Sequence, residues 1–420
     1  MKLRSLTAVA ALLAGTATLS AQSAKFDGAL IELYYTQMMD NNLRLNSGTH
    51  TPAYMALVTG STENQFLIKR AEMYFSGSVT EDISWNLMFD PNLTSGTNTT
   101  YGAVLQDAMA TWKLVPGFSL KVGQGKFLQS YESTSIAARN ILFFDRSMVS
   151  RFIGERRDRG IMAQYDFGDP KGFGGKAYVA ISNGMNDNGT GGKQPEANAQ
   201  KDVHARLDFS VSGNVFGLYY RSGSTDVAKG VTFPTSAWGT AGPAAQAIQD
   251  NADKTTNLGL FYYKDTSQYQ IFAEGSTGLL GRRFPSVFAA ASTTASREHL
   301  DQKYLGYVVQ GAYKMGKHWF TARYDFINYN SGDQWYTAYN PYTQSAPGVA
   351  KLVNGAAVDY SPKFTEITVG YNYVFIPTKY AAGKLKINYV MRSKNFLAPR
   401  AGQTGEQGGD SLVASLMVSF

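Results

Sequence analysis

The 420-residue chain contains no cysteine. That absence removes a disulfide framework, a zinc cluster, an iron–sulfur site and a cysteine nucleophile in one step. Charge is sparse as well: 17% of residues are charged, against roughly 25% in an ordinary soluble domain. Past the N-terminus there is no run of ~18 apolar residues, which excludes a spanning helix. Four histidines, His50, His204, His299 and His318, lie in unrelated segments without metal-ligand spacing. No Ser/His/Asp constellation is evident, so neither a cofactor, a metal nor an enzymatic reaction is expected. What the chain has in quantity is glycine, 42 residues, and rings: 26 Tyr, 24 Phe and 5 Trp. Rings in that number do not stay solvated, which excludes a disordered chain.

The front of the chain reads as an address. Met1-Lys2-Leu3-Arg4 is a basic start, Ser5 to Leu19 is uncharged and rich in Ala and Leu, and small residues follow in Ser20-Ala21-Gln22-Ser23-Ala24. This is the pattern of a secretory signal peptide over 1–21, with Ala24 as the second choice of cleavage site. Loss of Lys2 and Arg4 would lower the formal charge from +7 by two, leaving a mildly cationic exported chain of 22–420. That surplus is too modest, and the compartment wrong, for a nucleic-acid partner.

Alternation with period two recurs along the rest of the chain. Val203, Ala205, Leu207, Phe209 and Val211 alternate with His204, Arg206, Asp208 and Ser210, and Ile83, Trp85, Leu87 and Phe89 alternate with Ser84, Asn86 and Met88. About sixteen such strands begin near 28, 65, 82, 104, 117, 159, 175, 202, 213, 255, 267, 302, 316, 363, 383 and 410. Their connections alternate strictly between seven short turns and eight long polar loops. A soluble sandwich has no reason to gather every long loop at one end, whereas a transmembrane barrel does. Aromatics near strand ends (Tyr34, Tyr35, Trp112, Phe118, Phe167, Tyr219, Tyr220, Tyr262, Tyr263, Trp319, Tyr373 and Phe375) fit interfacial girdles. The chain also closes on an aromatic, Phe420. The expected fold is all-β: a 16-stranded antiparallel transmembrane β-barrel in the bacterial outer membrane, one domain, surrounded by lipid.

Sixteen strands leave a wet lumen, where eight would be filled by side chains. The connection Leu128 to Asp158 carries Ile136, Ile141, Leu142, Phe143, Phe144, Met148, Phe152 and Ile153. A surface loop is rarely so apolar, so it is expected to fold inward as a constriction loop. Arg139, Arg146, Arg151, Arg156, Arg157 and Arg159 face only Asp145, Glu155 and Asp158 in the same window, with Lys126 just upstream. Guanidinium forks suit oxyanions, and a low-dielectric constriction focuses their field. The competing reading makes each arginine a neutralised brace on a wall carboxylate. Further inward candidates are Arg70, Glu72, Lys113, Lys121, Arg206 and Arg323. Lys69 and Arg70 cannot both face water in a regular strand. The pattern leaves two channel readings open, an anion pore and a general or organic-solute pore, with an outer-membrane enzyme or adhesin barrel as the alternative from another class.

Phe66-Leu67-Ile68-Lys69-Arg70-Ala71-Glu72-Met73-Tyr74-Phe75-Ser76-Gly77, followed by Asp82 to Asp90, resembles the second and third strands of the phosphate-selective porin O and P family. So do Asp107 to Lys113, Pro116 to Phe127, Phe144-Asp145-Arg146-Ser147, and Arg159-Gly160-Ile161-Met162. The resemblance is specific over about 64–165 and implies a trimeric anion channel, with phosphate as the solute. By position it implies pore roles for Arg70, Lys121, Lys126, Arg146, Arg157 and Arg159. The family's lysine-rich mouth is not evident, since 223–253 offers Lys229 alone, with Lys254 at its edge.

Overall fold

The computed structural model describes residues 23–39, 65–91, 104–154, 157–169, 172–184, 201–224, 254–285, 299–328, 331, 351–353, 356–358, 363–393 and 410–420. The strands are β1 (Ser23–Met38), β2 (Gln65–Ser78), β3 (Ile83–Phe89), β4 (Leu105–Val115), β5 (Phe118–Lys126), β6 (Arg157–Gly168), β7 (Phe173–Ser182), β8 (Asp202–Val211) and β9 (Asn214–Ser224). They continue with β10 (Lys254–Asp265), β11 (Tyr269–Pro285), β12 (His299–Met315), β13 (His318–Asn328), β14 (Lys351–Val353), β15 (Ala356–Val358), β16 (Lys363–Val374), β17 (Gly383–Arg392) and β18 (Ser411–Ser419). Among the described residues β14 and β15 pair with each other alone; the other sixteen close into one antiparallel barrel in chain order, sealed where β18 pairs with β1.

The alternation is inverted relative to a soluble protein. On β8 the charged or polar His204, Arg206 and Asp208 are buried, while Val203 and Leu207 are 47% and 37% exposed. Val179, Ile181 and Leu260 are likewise more than half exposed on the outside. Apolar side chains that face outward around a closed sheet are stable only against hydrocarbon, which also requires every backbone donor to be paired within the sheet.

The strand starts fall close to those expected, with one instructive exception. β1 begins at Ser23 rather than near 28, because Asp27–Gly28 is a bulge and not an end. Gly28 adopts φ 133°, which L side chains rarely adopt. Just beyond it Ala29 and Phe420 exchange backbone hydrogen bonds of 2.8 and 3.1 Å, closing the seam. Four of the expected girdle aromatics, Tyr34, Tyr219, Tyr263 and Trp319, turn inward instead. Tyr219 lies over its cross-strand partner Gly259, and Phe261 over Gly217. Glycine opposite a large ring lets the ring lie flat on the wall, and this is the surface that receives the inner loop.

Candidate functional site: the constricted lumen

The connection between β5 and β6 enters the barrel. Its short helices, Tyr131–Ser135 and Met148–Ile153, begin at Ser130 and Ser147, whose hydroxyls accept from the backbone N–H three residues on. All eight apolar residues singled out in this segment are buried, from Met148 at 0% to Ile136, Phe152 and Ile153 at 7%. Met148, Val149, Phe152 and Ile153 pack on Tyr219, Phe261, Phe272, Tyr304, Val308, Ile327 and Phe364. Leu142 and Phe143 pack on Ala312, Trp319 and Val374, and Phe144 on Tyr34, Val390 and Val413.

Wall side chains then satisfy the loop's backbone, which a buried irregular segment requires. Glu274 of β11 accepts from Ser130 Oγ and Tyr131 N, both at 3.1 Å. Asp325 of β13 accepts from Met148 N. The carbonyls of Arg139, Ile141, Leu142, Phe143 and Asp145 receive Lys384 (2.6 Å), Tyr380 (3.0 Å), Asn372 (2.8 Å), Lys386 (2.8 Å) and Arg323 (2.8 Å). Phe144 N donates to Asn388 at 2.8 Å. Nearly every residue from 139 to 145 is therefore fastened to a different point of β13, β16, β17 or the short segment before β17.

A charged network sits behind this segment. Glu32 of β1, fully buried, accepts from Arg70, from Lys386 at 2.7 Å and from Ser415 at 2.8 Å. Glu366 accepts from Arg323 at 2.7 Å and Arg392 at 3.0 Å. Asp145, within the loop, meets Lys69 at 3.0 Å, Arg70 at 3.4 Å and Arg151 at 3.5 Å. Burial opposes ionisation of Asp145, but Lys69, Arg151 and Arg70 outweigh it and hold its carboxyl well below the usual range. Lys69 and Arg70 both reach inward because Lys69 is a bulge residue: Glu32 pairs with Arg70, and Leu33 with Ile68.

The loop fills one side of the lumen and leaves a cavity of about 600 Å³ along β2–β8. Its lining carries seven cations, Lys69, Arg70, Lys121, Lys126, Arg146, Arg157 and Arg206, against four acids, Glu72, Asp90, Asp107 and Asp145. The surplus of three is not spread evenly. Arg206 is spent on Asp208 (2.6 and 2.8 Å) and on the hydroxyls of Thr134 and Ser135. Arg157 donates to Asp107 at 2.7 Å. Lys121 has no ion pair among the described residues, and the Lys126 amine lies 3.4 Å from both Ser133 O and Oγ.

Of the nine residues expected at the pore, Arg70, Lys121, Lys126, Arg146 and Arg157 lie on this cavity. Arg146 does so while donating to the carbonyls of Glu132 (3.2 Å) and Ile136 (2.6 Å), tying the loop to itself. Arg151 is 8% exposed behind Asp145 and is not on the cavity wall. Arg139 lies over the Tyr74 ring, and Arg159 donates to Gln124 at 3.2 Å, both off the cavity lining. Arg156 falls outside the described residues. Reasoning from the sequence missed Glu32, Lys384, Lys386 and Arg392. The signal that could have found them is a charged residue at an inward register position, Glu32 beside the basic pair of β2.

The geometry agrees with comparisons to known proteins. The family model for phosphate-selective porin O and P matches residues 57–320. No curated protein matches the chain. Among solved structures, the outer membrane channel DcaP of Acinetobacter baumannii superposes with TM-score 0.56 at 11% identity, covering 96% of this chain and 99% of its own. The trimer form of OmpT from Vibrio cholerae gives TM-score 0.52 at 11% identity, covering 96% and 100%. An anion-selective porin from Comamonas acidovorans gives TM-score 0.50 at 8% identity, covering 95% and 100%. Those identities carry the fold alone, but the family match spans more than half of the chain. The chain belongs to the phosphate-selective porin O and P family and is an outer-membrane β-barrel porin.

Proposed function

We propose that the barrel is a passive, water-filled channel that prefers small anions, phosphate among them, and has no catalytic role. The observation that carries this reading is the seven-to-four excess of cations on the cavity, with Lys121 outside any ion pair among the described residues. Inside low-dielectric walls a few such charges raise the local anion concentration, and contacts that are moderate rather than tight allow release. The family match and the fold shared with the anion-selective porin from Comamonas acidovorans point the same way. A homotrimer is the assembly we infer, since a structural neighbour is described in a trimer form. Cleavage of a signal peptide after Ala21 would leave β1 whole, whereas cleavage after Ala24 would remove its first two residues.

The test is the reversal potential of the purified channel in a planar bilayer under a KCl gradient, followed by titration of phosphate against the chloride current. The expected results are a potential of the sign set by chloride permeation and a saturable block by phosphate. A potential of cation sign, or none, overturns the reading.

A further inference from the structure

The cavity contains a feature that a phosphate pathway does not need. Met88 of β3, Met109 of β4 and Met162 of β6 all line it, among the cations. Their registers put them on the inner face: Met88 opposes Asp107, Met109 opposes Asn86, and Met162 opposes Lys121. Met88 and Met162 are mostly covered, but Met109 is only partly buried and belongs to none of the buried apolar clusters among the described residues. It has room because Gly125 on β5 lacks a side chain; a Cβ there would meet Met109 Cγ at 3.4 Å and Sδ at 3.5 Å. The methionine thus lies across β5 between Lys121 and Lys126, which are five residues apart on that strand, or about 16 Å along the backbone. Ala137 of the inner loop lines the same cavity and is exposed.

A hydrated inorganic anion gains nothing from thioethers. A wall built only for water would carry residues like its neighbours Asn86 and Thr111. Methionine is polarizable and adapts to irregular apolar shapes, and a cavity of this volume is in the range that holds an organic molecule. We infer that the cavity takes organic carboxylates, with the carboxylate at Lys121 or Lys126 and the apolar body along Met109. This inference rests on the anion-channel reading above and narrows its solute class.

The experiment measures block of the chloride current by acetate, butyrate and hexanoate, with inorganic phosphate as reference, in the parent channel, Met109→Thr and Met109→Leu. In the parent, block is expected to tighten by about twofold per added methylene, half the effect of complete burial. Met109→Thr should flatten that dependence and leave the reversal potential and phosphate block unchanged, while Met109→Leu should keep it. An anion-preferring parent whose block is independent of chain length overturns the inference, as does a Met109→Thr channel with the parent's dependence. A parent without anion preference overturns the underlying reading instead, so the two failures are told apart.

Discussion

The two sides of the barrel interior use the same residue types in opposite ways. Along β11–β18 and β1, buried lysines and arginines fasten the inner loop: Lys384, Lys386 and Arg323 donate to its carbonyls, and behind it Glu32 pairs with Lys386 and Glu366 with Arg323. Along β2–β8, cations line a wet cavity, and Lys121 of β5 is in no ion pair among the described residues. A cation therefore reads as a brace or as a pore group according to whether a wall carboxylate and a loop carbonyl converge on it. Arg70 belongs to both sides, since it lines the cavity yet faces Glu32, Glu72 and Asp145.

The comparison breaks most visibly on the braced side. Glu32→Ala leaves Arg70 and Lys386 facing each other's charge without their shared acceptor, and Arg323→Ala strips Glu366 and the Asp145 carbonyl of a donor. Removing one partner of a buried pair costs about 3–5 kcal/mol. Both variants should melt at lower temperature by circular dichroism and show larger, noisier single-channel conductance as the loop loosens. Next comes Asp145→Asn, which frees Lys69 and weakens the ties to Arg70 and Arg151. It should raise the anion-over-cation permeability ratio by about two- to fourfold, read from reversal potentials, with a smaller loss of thermal stability than Glu32→Ala.

The pH dependence is a gentler probe of the same carboxylate. Because the folded-state pKa of Asp145 is depressed, its stabilising contribution is fully present above the unfolded value of about 3.9 and is lost only as pH falls through the lower folded value. The difference in conductance between the parent and Asp145→Asn should accordingly stay constant between about pH 5 and pH 8, and shrink only in stronger acid. A parent-minus-variant difference that changes within that range would place Asp145 outside the network. The smallest effect is expected for Arg159→Gln, which loses a bond to Gln124 off the cavity and should alter ion preference and stability little, within about 0.5 kcal/mol.

Much of this architecture was legible in the sequence because it is local. Alternation within a strand needs no knowledge of the partner, and the apolar loop residues announced that the segment could not lie in water; all eight are buried. Which arginines are braces was not legible, because the deciding partners lie far away in the chain. Arg323 is 178 residues from the Asp145 carbonyl it holds, and Lys386 is 354 from Glu32. The inward placement of both Lys69 and Arg70 was also hidden, since it depends on a bulge that no residue type marks. The inward turn of Tyr219 depended on Gly259 across the neighbouring strand, a pairing visible only once the register is known.

The central claim is that the β5 lysines of the open side, and not the arginines of the braced side, set the ion preference. The most direct measurement is the reversal potential under a KCl gradient of the Lys121→Glu, Lys126→Glu double variant beside the parent. The account predicts that anion preference is abolished or inverted while the melting temperature stays near that of the parent. A double variant that melts like the parent and keeps the parent's anion preference would contradict it.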